Sequence, residues 1–308
     1  MDVFLQQLIN GLTLGSVYAI VALGYTMVYG IIQLINFAHG EVVMIGAMVA
    51  FSVMSALTAH TALAPFAIVL IGTGAAVPVC VLVGYALERF AYRRLRHAPR
   101  LAPLITAIGA SIILQHVAMM IWSRNPLAFP QLIPNHVLEI AGATITTVQI
   151  AIILTSVLMM MALTLIIYRT KLGIAMRATS QDPRIAGLMG VNIDRMIAMT
   201  FMLGAALAAV AGVMVGTYYG VAHYTMGSLL GLKAFSAAVL GGIGNLAGAM
   251  LGGMLLGIVE ALGTGYIGDL TDNVFGSNYQ DVFAFLVLIA VLVFRPTGLL
   301  GERVSARA

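Results

Sequence analysis

Long stretches without a charged side chain alternate with short charged ones along this chain. No Asp, Glu, Lys or Arg falls between Asp2 and Glu41, from Val42 to Leu87, from Leu101 to Ser123, from Ile140 to Tyr168, or from Met196 to Leu232. A bilayer core needs roughly 20 apolar residues at 1.5 Å rise each, and every run is long enough. Backbone polar groups in lipid must be satisfied within the segment, so the runs predict helices. A membrane barrel would instead show ten-residue alternating segments, and the sequence has none. Spans are predicted at about 4–30, 41–59, 65–87, 101–123, 146–168 and 196–218, with further crossings between 229 and 295.

Composition agrees. Of 308 residues, 61% are hydrophobic and 8% charged, where a soluble domain carries roughly 25% charged residues. Mean hydropathy is +1.04. A soluble enzyme, a disulfide scaffold and a disordered chain are therefore excluded. The single Cys80 cannot form a disulfide within the chain and reads as core. Trp122 sits at a span end, where interfacial aromatics belong. The N-terminus has no basic start and no cleavage signal, so it reads as a retained first span.

Basic residues gather in three places: Arg89 to Arg100, Arg169 to Arg195, and the tail holding Arg295, Arg303 and Arg307. Short basic loops stay cytoplasmic. The connections at 124–139, with Pro126, Pro130 and Pro134, and at 268–281, with Asp269, Asp272 and Asp281, are poor in bases and read as external. Parity then requires two crossings between 229 and 265, broken at Gly241-Gly242-Ile243-Gly244-Asn245. The expected fold is an all-α polytopic membrane protein of about nine segments, eight full and one short or broken. The N-terminus is expected outside and the C-terminus inside.

Candidate chemistry is sparse. There is no P-loop, no metal-ligand spacing and no nucleophile elbow. Two glycine-rich breaks lie one in each half: Asn36-Phe37-Ala38-His39-Gly40-Glu41, and the cluster holding Gly241, Gly242 and Gly244. Paired breaks point to a translocation path; close helix packing is the alternative, and both readings stand. If the first break lines a path, a bulky residue at Gly40 is expected to stop uptake without preventing assembly. Ionisable groups near the apolar runs are His39, Glu41, His116, Lys233 and Glu260. Glu41 suits a helix N-terminus or the path. Glu260 either contacts a partner or the path, or reaches the outer interface. The lone histidines are expected to be satisfied buried groups.

The longest polar connection, 169–195, carries a short amphipathic helix. Ser180 is its expected cap, Asp182 and Pro183 stand in its first turn, Ile185, Leu188 and Met189 share a face, and Gly190 stops it. Its apolar face either rests on lipid or docks into a protein cleft.

Four stretches carry a resemblance: Asn10 to Gly30, Ile35 to Glu41, Lys233 to Gly244, and Arg295-Pro-Thr-Gly-Leu-Leu-Gly301. They closely resemble the LivH-type permease family of branched-chain amino acid ABC importers. The resemblance implies an ABC importer permease fold over one domain, 1–308, and a bacterial inner-membrane location. Implied partners are a second, LivM-like permease, two cytoplasmic ATPases and a periplasmic amino-acid-binding protein. ATP with magnesium would sit on the ATPases, with no cofactor in this chain and no nucleic acid. The implied coupling helix spans 177–190, with Arg177-Ala178 and Gly190 matching the family pattern; Arg177 stands where that pattern has Glu. Transport of another amino acid or urea, and an ion-coupled secondary transporter, stay open. A membrane-embedded enzyme lacks any catalytic pair at depth.

Overall fold

A computed structural model describes residues 2–96, 98–99, 101–140, 142–270 and 279–301. Arg100, Asp272, Arg303 and Arg307 lie outside the described residues. The helices are α1 (Asp2–Ile32), α2 (His39–His60), α3 (Pro65–Ala86), α4 (Leu101–Ile121), α5 (Thr147–Arg169), α6 (Lys171–Gln181), α7 (Pro183–Leu188), α8 (Ile193–Tyr219), α9 (Met226–Gly241), α10 (Leu246–Leu270) and α11 (Gln280–Phe294). Helix α3 runs on through a π-helical turn, Leu87–Tyr92, and a 3-10 turn, Arg93–Leu95. Each of the six spans expected between residues 4 and 218 is thus a helix, its ends displaced by no more than a few residues.

Seven helices among the described residues are long and apolar enough to cross a membrane. Helices α9 and α11, at 16 and 15 residues, are shorter. The architecture is that of an integral membrane protein, and the count of nine crossings is not confirmed.

The chain is not wholly helical. Strands β1 (Leu127–Ala128), β2 (Val137–Ile140), β3 (Ala143–Thr146) and β4 (Val221–Ala222) form two antiparallel pairs, β1 with β4 and β2 with β3. β1 lies in the proline-bearing connection at 124–139 and β2 at its end, β3 just follows it, and β4 lies between α8 and α9. Two polar contacts fix this end of the bundle. Thr146 and Gln149 form a reciprocal capping box on α5. Gln6 of α1 meets the backbone of Thr144 through both its amide atoms, at 2.8 and 3.0 Å.

The core is built from helices that touch backbone to backbone. A methyl group placed on Gly253 of α10 would lie 2.5 Å from the Cα of Ala19 in α1. One on Gly11 would lie 2.6 Å from the Cα of Ile258, and one on Gly15 2.8 Å from that of Met254. The same closeness joins Gly46 of α2 to Ala209 of α8 at 2.7 Å. Small residues at such seams let helices approach where lipid supplies no hydrophobic drive. By contrast, α4 exposes Ile105, Ile113, Met120 and Ile121, which suits a face turned to lipid. Cys80 is buried, its thiol 3.4 Å from the carbonyl of Val42. Trp122 donates to Ser52 Oγ at 2.6 Å, tying the end of α4 to α2.

Candidate transport path and coupling surface

The first break is a short connection whose polar groups turn inward. Buried Asn36 accepts from the Ala38 N–H and from the Tyr92 hydroxyl, both at 3.2 Å. Phe37 packs against Phe235 of α9, ring centres 5.6 Å apart. His39 is buried edge-on to Tyr25 at 4.9 Å and lies against Gly24, its Nε2 without a hydrogen-bond partner among the described residues. His39 is thus buried as expected, whereas His116 is exposed on α4. Gly40 faces Gly231 of α9, whose Cα would lie 2.9 Å from an added methyl.

Glu41 stands in the first turn of α2, but its side chain caps nothing. Its Oε1 accepts from Gln115 Nε2 at 2.8 Å and Ser111 Oγ at 3.1 Å, both on α4. Gln115 also donates to Ser228 of α9 at 3.1 Å. The second carboxylate oxygen is buried beside Gly227 and has no partner among the described residues. The carboxylate belongs to a contact between α2, α4 and α9, held by side chains rather than by the end of its own helix.

The second break is a turn locked by the C-terminal segment. The N–H groups of Leu299 and Leu300 donate to the carbonyls of Leu240 and Gly241 at 2.9 Å each. Asn245 donates to Leu300 O at 2.9 Å and accepts from Gly248 N at 3.0 Å, closing the start of α10. Gly241 lies against Gly248 and Gly252. Gly242 has φ +106° and faces Gly298 and Gly301, so a side chain there meets both strain and backbone. Gly244, at φ +98°, has open space beside it. It borders a cleft of about 90 Å³ shared with Thr26, Gly30, Arg177 and Ser180. The two breaks thus differ: one buries polar groups between helices, the other packs two glycines and leaves a third bare beside a cleft.

The connection at 169–195 contains two helices, not one. Ser180 lies near the end of α6 and donates to Arg177 O, so it does not cap α7. Asp182 does, accepting from the N–H groups of Arg184 and Ile185 at 2.8 and 3.0 Å, with Pro183 at the first helical position. Gly190, at φ +88°, closes α7: its N–H reaches Gly187 O while the Val191 N–H reaches Ala186 O, the Schellman pattern. Arg177 lies on α6 with its guanidinium over the Tyr168 ring at 5.1 Å; Ala178 follows it on the same helix. On α7 only Ala186 is buried. Ile185, Leu188 and Met189 are 59%, 88% and 81% exposed, an apolar knob at the end of the bundle that carries the basic residues.

Over residues 7–292 the chain matches the family described as the permease component of the branched-chain amino acid transport system. It belongs to that family. It is 49% identical over 303 residues to the high-affinity branched-chain amino acid transport system permease protein BraD of Pseudomonas aeruginosa, covering 97% of this chain and 96% of that one. It is 46% identical over 303 residues, with the same coverage, to the corresponding protein LivH of Escherichia coli. A probable LivH of Methanocaldococcus jannaschii is 26% identical over 304 residues, 93% of this chain and 89% of that one. No solved structure matches the chain.

Two charge clusters in the permease escaped sequence reasoning. In the first, Lys233 of α9 lies 2.7 Å from Glu260 Oε1 of α10 and 2.6 Å from Asp281 Oδ1 of α11. Tyr18 of α1 donates to Glu260 at 3.0 Å, and Gln280 also donates to it. Glu260 is wholly buried among these groups. In the second, wholly buried Glu88 is held by Arg93 Nη2 at 3.0 Å and by Arg96. Both arginines also reach Asp194 in the first turn of α8. This network ties the start of α8, which follows α7, to the turns that extend α3. The individual residues were visible in the sequence; Arg93 and Arg96 lie 5 and 8 positions from Glu88, but Asp194 and the partners in the first cluster come from other helices.

Proposed function

We propose that the permease is the membrane-spanning subunit of an ATP-driven importer of leucine, isoleucine and valine. It works as one permease domain, 1–308, beside a second homologous permease, with two cytoplasmic ATPases and a periplasmic amino-acid-binding protein. The basic end, with α6 and α7, faces the cytoplasm of a bacterial inner membrane, which puts the N-terminus outside and the C-terminus inside. The observation that carries this reading is the exposed apolar knob on α7. A capped helix that turns Ile185 and Leu188 away from its own bundle is built to be covered by another protein. The sequence has no nucleotide site of its own, so an ATPase is the covering partner that transport requires.

The substrate path runs past Asn36, Phe37, His39, Gly40 and Glu41 and leaves beside Gly241, Gly242 and Gly244. Closure of the ATPases around ATP pushes on Arg177, Ala178, Asp182, Ile185, Leu188 and Gly190, and this rocks the two permeases between outward- and inward-facing states. The names of the relatives support the substrate class.

The test is the double substitution Ile185→Asp, Leu188→Asp. Buried apolar anchors commonly contribute about 2 kcal/mol or more each, so the ATPase should no longer co-purify, or its hydrolysis should no longer respond to loaded binding protein. Unchanged co-purification and unchanged stimulation in the double variant would show that α7 is not the coupling element. Leucine uptake by the permease with no ATPase present would replace the importer by a secondary transporter.

A further inference from the structure

The Lys233–Glu260 cluster is larger than a structural ion pair needs. Five polar side chains from four helices converge: Tyr18, Lys233, Glu260, Gln280 and Asp281. Two carboxylates share one ammonium, leaving one negative charge in excess. Glu260 Oε2 is buried and has no hydrogen-bond partner among the described residues. A buried unsatisfied oxygen of this kind calls for an explanation. Burying an ion pair gains little over packing apolar side chains in its place, and ionisable groups inside a membrane mark functional sites by default.

The surroundings supply the rest of a recognition site. Tyr18, whose hydroxyl touches both Glu260 and Lys233, also lines a narrow crevice between α1, α8 and α9. Leu14, Val17, Val215 and Leu230 form apolar walls, and Thr13, Tyr218 and Tyr219 complete the lining. A charged end thus adjoins a mainly apolar slot across one tyrosine ring. The crevice admits about one water, roughly 10 Å³, so the helices must part before a side chain enters. Asp281 is the natural group to let go, being partly exposed while Glu260 is not.

We infer that Lys233, Glu260 and Tyr18 hold the charged backbone of the transported amino acid while the adjoining slot takes its branched side chain. This rests on the substrate class proposed above. The α-ammonium of the substrate meets the free oxygen of Glu260. Its α-carboxylate meets the Lys233 ammonium, released from Asp281, with the Tyr18 hydroxyl as a further donor.

The experiment compares Lys233→Met/Glu260→Gln and the exchange variant Lys233→Glu/Glu260→Lys with the parent protein, each in the complete transporter reconstituted in proteoliposomes. Radiolabelled leucine uptake and ATP hydrolysis stimulated by loaded binding protein are measured together. A recognition site predicts that both variants assemble and hydrolyse ATP within about two-fold of the parent, while leucine uptake falls at least ten-fold in each. A structural pair predicts uptake near that of the parent in the exchange variant, which keeps one ammonium between two carboxylates, whereas the neutral variant leaves Asp281 without its cation. Uptake within two-fold of the parent in either variant overturns the inference and leaves the importer reading intact. Failure of both variants to assemble also overturns it, since a pair needed for assembly is structural. Absence of leucine uptake by the parent complex itself would instead defeat the importer reading.

Discussion

The seam between α1 and α10 allows a sharp test of how this bundle is held together. Gly253→Ala puts one methyl group 2.5 Å from the Cα and N of Ala19 and 2.8 Å from its Cβ. Carbon atoms in contact rest about 3.5–4.0 Å apart, so the overlap is about 1 Å. None of the obstructing atoms can rotate away, which leaves separation of the helices as the only relief. A gap of about 0.5–1 Å already forfeits a quarter to a half of the attraction between facing atoms, and overpacking of this kind costs about 1–3 kcal/mol. Alanine's better helix propensity returns about 1 kcal/mol. Gly109→Ala on α4 is the control: nothing lies within 4 Å of the new methyl, so propensity acts alone and stabilises. The propensity gain is common to both, so the two variants should differ by the overpacking cost of about 1–3 kcal/mol, or roughly 2–12 °C in melting temperature at about 2–4 °C per kcal/mol.

Cys80 supplies the assay. It is the single cysteine of the chain and is buried, so a fluorogenic maleimide reports unfolding as the thiol becomes accessible. The expected order of melting is Gly253→Ala below the parent and Gly109→Ala at or slightly above it. If Gly253→Ala melts together with Gly109→Ala, α1 and α10 are not in backbone contact and the argument from glycine spacing is wrong.

Two further outcomes follow from the polar contacts. Glu88→Gln leaves Arg93 and Arg96 facing a neutral group in a buried place, and removing one partner of a buried ion pair costs about 3–5 kcal/mol; the same Cys80 melt should shift down strongly, and an unchanged melt would show that Asp194 alone holds the arginines. Asp182→Ala removes the cap of α7, worth about 1 kcal/mol, so amide exchange at Arg184 and Ile185 should speed up about five-fold, and unchanged exchange would mean that the helix is held from elsewhere.

Helix positions were legible because one signal dominates in a membrane: a charge within a span is costly, so charge-free runs mark spans almost residue by residue. The helix ends were legible where local chemistry sets them, as at Gly190 and Pro183. They were misjudged where two residues competed for one role. Ser180 and Asp182 both suit a cap, and the choice fell to Asp182 because α6 continues through Ser180 as helix. The strands were hidden for a related reason. Strands of two to four residues carry too short an alternation to stand out, β1 and β2 lie among or next to Pro126, Pro130 and Pro134, and β1 finds its partner only in β4, some ninety residues on.

The site was legible in its parts and not in its pairings. His39, Glu41, Lys233 and Glu260 announce themselves as ionisable groups among apolar ones, yet sequence offers no rule for which helix faces which. Glu41 illustrates this: its position in the first turn of α2 favours a capping role, but Gln115 and Ser111 of α4 draw the carboxylate sideways. Gly40 illustrates the converse. A large residue there looks in the sequence like a plug in a path, whereas the backbones of Gly227 and Gly231 against it mean that the substitution first separates α2 from α9. A loss of uptake in such a variant therefore cannot distinguish path from packing. The Lys233–Glu260 cluster does not share this ambiguity, because its charges can be neutralised or exchanged at nearly constant volume. That makes it the place where recognition and packing can be separated by experiment.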